Sequence, residues 1–199
     1  MENMEIHGSC RGAFLVRGAL ATGAAVGAAS VTPWVSQAFA QGKGGDVDIL
    51  NFALTLEYLE ADFYKQAGKL SLNGQYKSLA KDFGANEQEH VDALVATIGQ
   101  LGGKPVAKPT FAFGLKSQAD FVKLAITLED TGVSAYNGAA PMIESKDVLA
   151  AAGSIVQVEA RHAAALRFLD GMDPTKGAFD MTLSKGAVLK AVKPLIAAA

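Results

Sequence analysis

Cysteine is almost missing from this sequence, with Cys10 the only one in 199 residues. One thiol can build neither a disulfide framework nor a thiolate zinc site within a chain. Histidine is scarce too, with three in the chain, and there is one tryptophan. Neither sign of charge dominates, since 18 Lys and Arg face 20 Asp and Glu and the basic residues are not clustered. That balance argues against a dedicated nucleic-acid surface. Aromatics are few, at 8%, although half of the chain is hydrophobic. What is left is an aliphatic, alanine- and glycine-rich chain with one ordinary domain's worth of core. A metal, if held, must be held by Glu, Asp and His.

The first 40 residues are unlike the rest. Arg11 and Arg17 precede a weakly apolar stretch from Gly18 to Val31, and Ala38-Phe39-Ala40 forms a small-x-small cleavage site before Gln41. That order reads as an export signal, spanning 1–40, and places the mature protein in the periplasm or outside the cell. The stretch Arg11-Gly12-Ala13-Phe14-Leu15 resembles a twin-arginine signal with Gly12 in place of the second arginine, so a Sec-type route stays open. An uncleaved anchor is the other reading, because Ala13 to Thr32 is about long enough to span a bilayer. Cleavage would remove Cys10, Trp34 and His7, leaving a mature chain with His90 and His162 and no membrane segment. Its chemistry near neutral pH would then run through two imidazoles, carboxylates, or ions held by them.

Beyond Gln41 the pattern is helical. Apolar residues recur at three- and four-residue intervals from Asp46 to Ala67 (Ile49, Leu50, Ala53, Leu56, Leu59, Phe63), and Gly68 offers a stop. A second helix is predicted over Gln75–Leu101, ended by Gly102-Gly103. Lys104 to Lys116 holds Pro105, Pro109 and Phe111-Ala112-Phe113, and reads as a long connection packed against something. Ser117, with Asp120 behind it as a capping-box analogue, opens a third helix to about Ala140, and a fourth fits Ser145–Leu169. A tail over 173–199 carries a short helix from Ser184 to Val192. Long helices joined short, long, short describe an all-α four-helix bundle over 41–172, with one crossover between helices two and three. The second helix would rise about 40 Å. About 16 extended residues reach roughly 50 Å, enough to return along it.

An internal repeat organises the polar residues. Thr55-Leu56-Glu57 with Tyr64 recurs as Thr127-Leu128-Glu129 with Tyr136, an offset of 72 residues. Glu87-Gln88-Glu89-His90 recurs as Glu159-Ala160-Arg161-His162 at the same offset. Residues three and seven apart share a helix face, so each Glu-x-x-His pair sits together. Counting from the helix ends, antiparallel packing brings Glu57 level with Glu87, and Glu129 with Glu159, to within a turn. Four carboxylates and two imidazoles would meet in mid-bundle, where the carboxylates repel unless cations neutralise them. One Glu from each of two helices, with Glu-x-x-His from each of the others, is the pattern of carboxylate-bridged di-iron and di-manganese bundles.

On these residues the chain resembles the ferritin-like superfamily, and in particular its exported, desiccation-related branch, over about Asp46 to Leu169. The resemblance implies two iron or manganese ions as cofactors, with Glu57 and Glu129 as terminal ligands and Glu87 and Glu159 bridging. His90 and His162 would each hold one ion. Tyr64 and Tyr136 match tyrosines that such proteins place near the metals, as hydrogen-bond partners or redox-active groups. The activity implied is a metal-dependent oxidoreductase acting on ferrous iron, oxygen or peroxide, with metal ions and small oxidants as partners and a homodimer possible. The other expectation is a non-enzymatic exported stress or desiccation scaffold that keeps the pattern without tight metal binding. Iron storage would need a specific multimer that no feature predicts.

Bland readings stand beside the sharp ones. Tyr64 and Tyr136 also read as core residues whose hydroxyls need partners. Glu60 lies one turn from Glu57, but its repeat partner is Gly132, which leaves it outside the ligand set. Glu89, Asp92, Asp130 and Glu144 are expected to face water, and Phe111, Phe113 and Phe121 to pack.

Overall fold

The structure is a computed structural model that describes residues 44–175 and 177–197. The segment over 1–40 that is expected to direct export lies outside the described residues. Four long helices follow one another: α1 (Gly44–Ala67), α2 (Gly74–Gln100), α3 (Gln118–Ala139) and α4 (Lys146–Leu169). A short α5 (Lys185–Val192) lies in the tail. Each helix after the first starts where a side chain can cap it. Asn73, Ser117, Ser145 and Ser184 each accept a hydrogen bond from the backbone N–H three residues on. The box at Ser117 is reciprocal, since the Asp120 carboxylate accepts from the Ser117 hydroxyl at 2.9 Å and from Lys116 N–H at 3.1 Å. Pro141 falls in a 3-10 turn (Ala140–Met142) that carries the chain out of α3.

The helices pair as α1 with α2 and α3 with α4, and α1 also packs on α3. Asp46, fully buried in the first turn of α1, accepts from Glu144 N–H at 2.8 Å and Ser145 N–H at 2.9 Å. One carboxylate thus ties the start of α1 to the start of α4. The crossover runs the length of α1. Asn51 holds its beginning through Lys104 O and Val106 N–H, Asp62 meets Lys108 at 3.1 Å, and Gln66 donates to Phe111 O. This returns the chain to the far end of the bundle and sets α3 parallel to α2, as a crossover of that length allows.

Two apolar clusters fill the interior. One gathers Phe63, Phe83, Phe113, Phe121 and Leu166 with Val188 and Val192 of α5, and the other gathers Leu50, Leu54, Leu94, Ile98, Val148 and Ile155. Along α2 and α4 the polar residues of the repeat fall between these clusters, whereas Tyr64 and Tyr136 belong to them. Phe111, Phe113 and Phe121 are buried packing residues, as expected. The tail is no loose appendage: Ala112 N–H donates to Leu195 O and Ala197 N–H to Thr110 O, both at 2.9 Å, joining it to the crossover in an isolated bridge.

Candidate metal centre

Mid-bundle, the structure brings together all six ligand-type side chains and both tyrosines. Glu57, Glu87, Glu129 and Glu159 have no exposed surface, and His162 keeps 3% of its own against 11% for the His90 side chain. Burial follows from the helix period, which turns positions three and seven apart onto the face that each helix presents to its neighbours.

The donor atoms fall into two groups. Glu57, Glu87, His90 and Glu159 form one, and Glu87, Glu129, Glu159 and His162 the other, each with its atoms within 4.8 Å of one another. Glu87 and Glu159 belong to both. His90 Nδ1 lies 3.2 Å from Glu57 Oε2, 3.0 Å from Glu87 Oε2 and 3.1 Å from Glu159 Oε1. His162 Nδ1 lies 2.9 Å from Glu87 Oε1 and 3.3 Å from Glu129 Oε2. Glu87 therefore turns one oxygen to each imidazole.

The tyrosines cross between hairpins. Tyr136, on α3, donates to Glu57 Oε1 of α1 at 2.5 Å, and Tyr64, on α1, donates to Glu129 Oε1 of α3. Each outer carboxylate is thus held on one oxygen by a phenol while its other oxygen faces an imidazole. Burial pushes both phenols well above their usual pKa, and the carboxylates they face push the same way. They are proton donors near neutral pH.

Two tests ask whether these residues fit cations. Glu87 Oε1, Glu129 Oε2, both oxygens of Glu159 and His162 Nδ1 are buried without a hydrogen-bond partner, although the oxygens and Nδ1 crowd together. Orphaned buried polar atoms are rare in folded proteins, and here they converge rather than scatter. The second test is electrostatic. Burial, with the Glu87 charge adding to it, lifts Glu57 to about 7 against hydrogen bonds from His90 and Tyr136. Burial and neighbouring carboxylates hold Glu60 and Glu159 well above the usual range. Burial opposes the charged form of Glu87 too, but His162 and His90 win and draw it down to about 2. Burial also opposes the imidazolium forms, yet the carboxylates raise His162 to about 9 and His90 well above the usual value. Without cations the cluster keeps protons to limit its own repulsion, and bound cations would replace them. The donors fit.

Three residues at the centre go beyond the sequence reading. Glu60 is 2% exposed, and its carboxylate packs over Gly132, where an added Cβ would stand 3.1 Å from Glu60 Oε1 and 3.6 Å from Glu159 Oε2. Its glycine partner therefore makes room for Glu60, which lies beside the centre but in neither donor group. A glycine inside a helix, level with an acid on the facing helix, was the available signal. Asn86 places its amide 3.0 Å from His162 Nε2, and Phe83 stacks on the same ring at 3.8 Å between centroids. Nothing in the spacing of the sequence marks either. Glu89, Asp92 and Glu144 are exposed, as expected. Asp130 differs: each of its oxygens accepts from the same Arg167 nitrogen, and Arg167 is buried at 5% exposure.

Comparison with known proteins agrees with this architecture. A conserved hypothetical protein from Mycobacterium tuberculosis superposes with a TM-score of 0.59 at 22% identity, over 68% of this chain and 96% of that one. A structure from Bacillus anthracis described as ferritin-like, diiron-carboxylate proteins superposes with a TM-score of 0.57 at 19% identity, over 70% and 99%. No curated protein matches the sequence. The family model for the ferritin-like domain matches residues 45–171, the four long helices and the crossover between them, and the chain belongs to that family.

Proposed function

We propose that this chain is an exported ferritin-like protein that binds two iron or manganese ions and uses them for oxygen, peroxide or ferrous-iron redox chemistry in stress protection. The observation that carries the reading is the pair of buried donor groups with Glu87 and Glu159 in common. Donor sets rich in carboxylate with one imidazole per ion suit iron and manganese, and such ions supply Lewis acidity and one-electron redox chemistry when bound. The protein residues do the remaining work. Glu57 and His90 would hold one ion, Glu129 and His162 the other, and Glu87 and Glu159 both. Tyr136 and Tyr64 orient the outer carboxylates and keep a hydroxyl proton beside each. The two apolar clusters above and below exclude bulk water, which strengthens every charge interaction between them. Export rests on Arg11, Arg17 and the Ala38-Phe39-Ala40 site, and predicts a mature chain that begins at Gln41.

Elemental analysis of untagged protein, beside a His90→Ala, His162→Ala variant, tests the centre. About two iron or manganese atoms per chain, lost in the variant, are expected. No metal in either protein after anaerobic loading would leave the exported scaffold as the better reading. Intact mass from the exported fraction tests cleavage separately.

A further inference from the structure

The repeat shows what the two halves of the centre share, and therefore what they do not. Glu57, Tyr64, Glu87 and His90 have identical counterparts 72 residues on, but Asn86 faces Val158 across the repeat, Phe83 faces Ile155 and Glu60 faces Gly132. Two of these unshared side chains, Asn86 and Phe83, serve the same half. Phe83 stacks on His162 with an angle of 20° between the rings. Asn86 meets the outward nitrogen of that ring, whereas His90 hydrogen-bonds through Nδ1 alone among the described residues. Glu60 lies one turn further along α1 than Glu57, toward Tyr64, whose hydroxyl donates to Glu129. Its carboxylate meets Gly132, one turn beyond Glu129 on α3 and toward Tyr136, whose hydroxyl donates to Glu57, so Glu60 lies between the halves.

We infer that the two metal positions are unequal: the one bounded by Glu129 and His162 binds first and more tightly, because Asn86 and Phe83 support that half only. The inference rests on the metal-binding reading proposed above. An imidazole that gives Nδ1 to a cation carries its proton on Nε2. That proton needs an acceptor, which the Asn86 side chain supplies once its amide oxygen faces the ring. Such a bond fixes the tautomer and the plane of the ring before any ion arrives. Phe83 removes the freedom to tilt. His90 has neither device and is more exposed, so an ion there must also order its own imidazole.

The test is a titration of the metal-free full chain with manganese(II) by calorimetry, and with cobalt(II) by visible absorption. Two steps are expected, with dissociation constants at least about tenfold apart. His162→Ala should lose the tight step and keep the weak one, and His90→Ala the reverse. Asn86→Val should weaken the first step by about 10- to 100-fold and leave the second nearly unchanged. Asn86→Asp, whose carboxylate can accept the same Nε2–H, should restore it, which a merely structural role for Asn86 would not produce. Circular dichroism on each variant separates lost binding from lost folding. Two steps of equal affinity overturn the inference while leaving the metal centre standing, and so does a tight step that survives His162→Ala and disappears in His90→Ala. A wild-type chain that binds neither metal overturns both.

Discussion

In the first hairpin the crossover covers α1, and in the second the C-terminal tail covers α3. The contacts fall at matching positions of the repeat. Asp62 and Gln66 bond the crossover, and their counterparts Ser134 and Gly138 meet the tail. The two covers join where Phe111 bridges Ile196. They differ in how they are held. The crossover is tied to α1 by side chains, whereas the tail meets α3 mainly through backbone, with Leu183 N–H donating to Ser134 O at 3.0 Å and Asn137 reaching Met181 O at 3.4 Å. The comparison teaches that the tail is the second hairpin's equivalent of the crossover. It also separates two kinds of residue: the six donors and the two tyrosines that hold the outer carboxylates recur in both hairpins, whereas Asn86, Phe83 and the residues that tie the covers occur in one.

The largest effect should come from breaking what both halves share. Glu159→Ala removes a carboxylate common to both donor groups, so about two bound ions should fall to nearly none. Glu57→Ala touches one group only and should leave about one ion per chain. Elemental analysis of the two variants side by side distinguishes shared from terminal donors. Equal losses would mean that the division between the halves is wrong.

A pH series asks whether the halves act as one proton-holding cluster. Glu57, lifted to about 7, keeps a proton in the folded chain that the unfolded chain releases near 4.5. His162, lifted to about 9, does the same above 6.5, and Glu60, Glu159 and His90 shift in the same direction. Each contribution is complete at low pH and is lost as pH rises through the folded-state value. Glu87, held at about 2, acts oppositely, but only below about 4.5. The metal-free protein should therefore melt about 5–10 °C lower at pH 8 than at pH 5. Metal-loaded protein should show the reverse trend, because protons compete with ions for the same atoms. Scanning calorimetry of both forms checks the sign.

The third comparison concerns the covers. A Cβ at Gly138 would stand 1.9 Å from Leu183 O, so Gly138→Ala must push the tail off α3. A loss of about 1–3 kcal/mol is expected, read as a fall in Tm of several degrees. Gln66→Ala, its counterpart on α1, gives up hydrogen bonds to Asp62 and Phe111 O at a partly exposed site and should cost about 1 kcal/mol or less. If the order reverses, the tail is the weaker of the two covers.

Much of this was legible before any coordinates. The helices announce themselves by period and caps, and the six donors by recurring at one offset, because a site built twice writes its pattern twice. What hid was everything made once. The place of Glu60 beside the centre is one such contact, since small against large across a bundle is how space is shared and Gly132 is the clearance that Glu60 needs. Arg167 and Asp130 lie 37 residues apart on adjacent helices, with Val95 and Tyr58 at their repeat positions, so no spacing rule joins them. Asn86 looks like any helical asparagine until the ring of His162 is placed beside it. Single-copy contacts between distant segments depend on packing, which a pattern of residue types does not carry.

The smallest effect separates the pairs that cover the bundle from those within it. Lys108 reaches Asp62 at 3.1 Å with 42% of its side chain exposed, so water and salt screen the pair. Lys108→Ala should change stability by about 0.5 kcal/mol or less, with the difference vanishing at high ionic strength. Arg167→Ala should cost more, on the order of 1–2 kcal/mol, because Arg167 is buried where Lys108 is exposed. Asp130 keeps 35% of its side chain in contact with solvent, which limits the penalty for losing Arg167. Chemical denaturation at low and high salt compares the two. A salt-sensitive loss at Lys108 as large as that at Arg167 would mean that the crossover is pinned by charge rather than by the hydrogen bonds of Asn51 and Gln66.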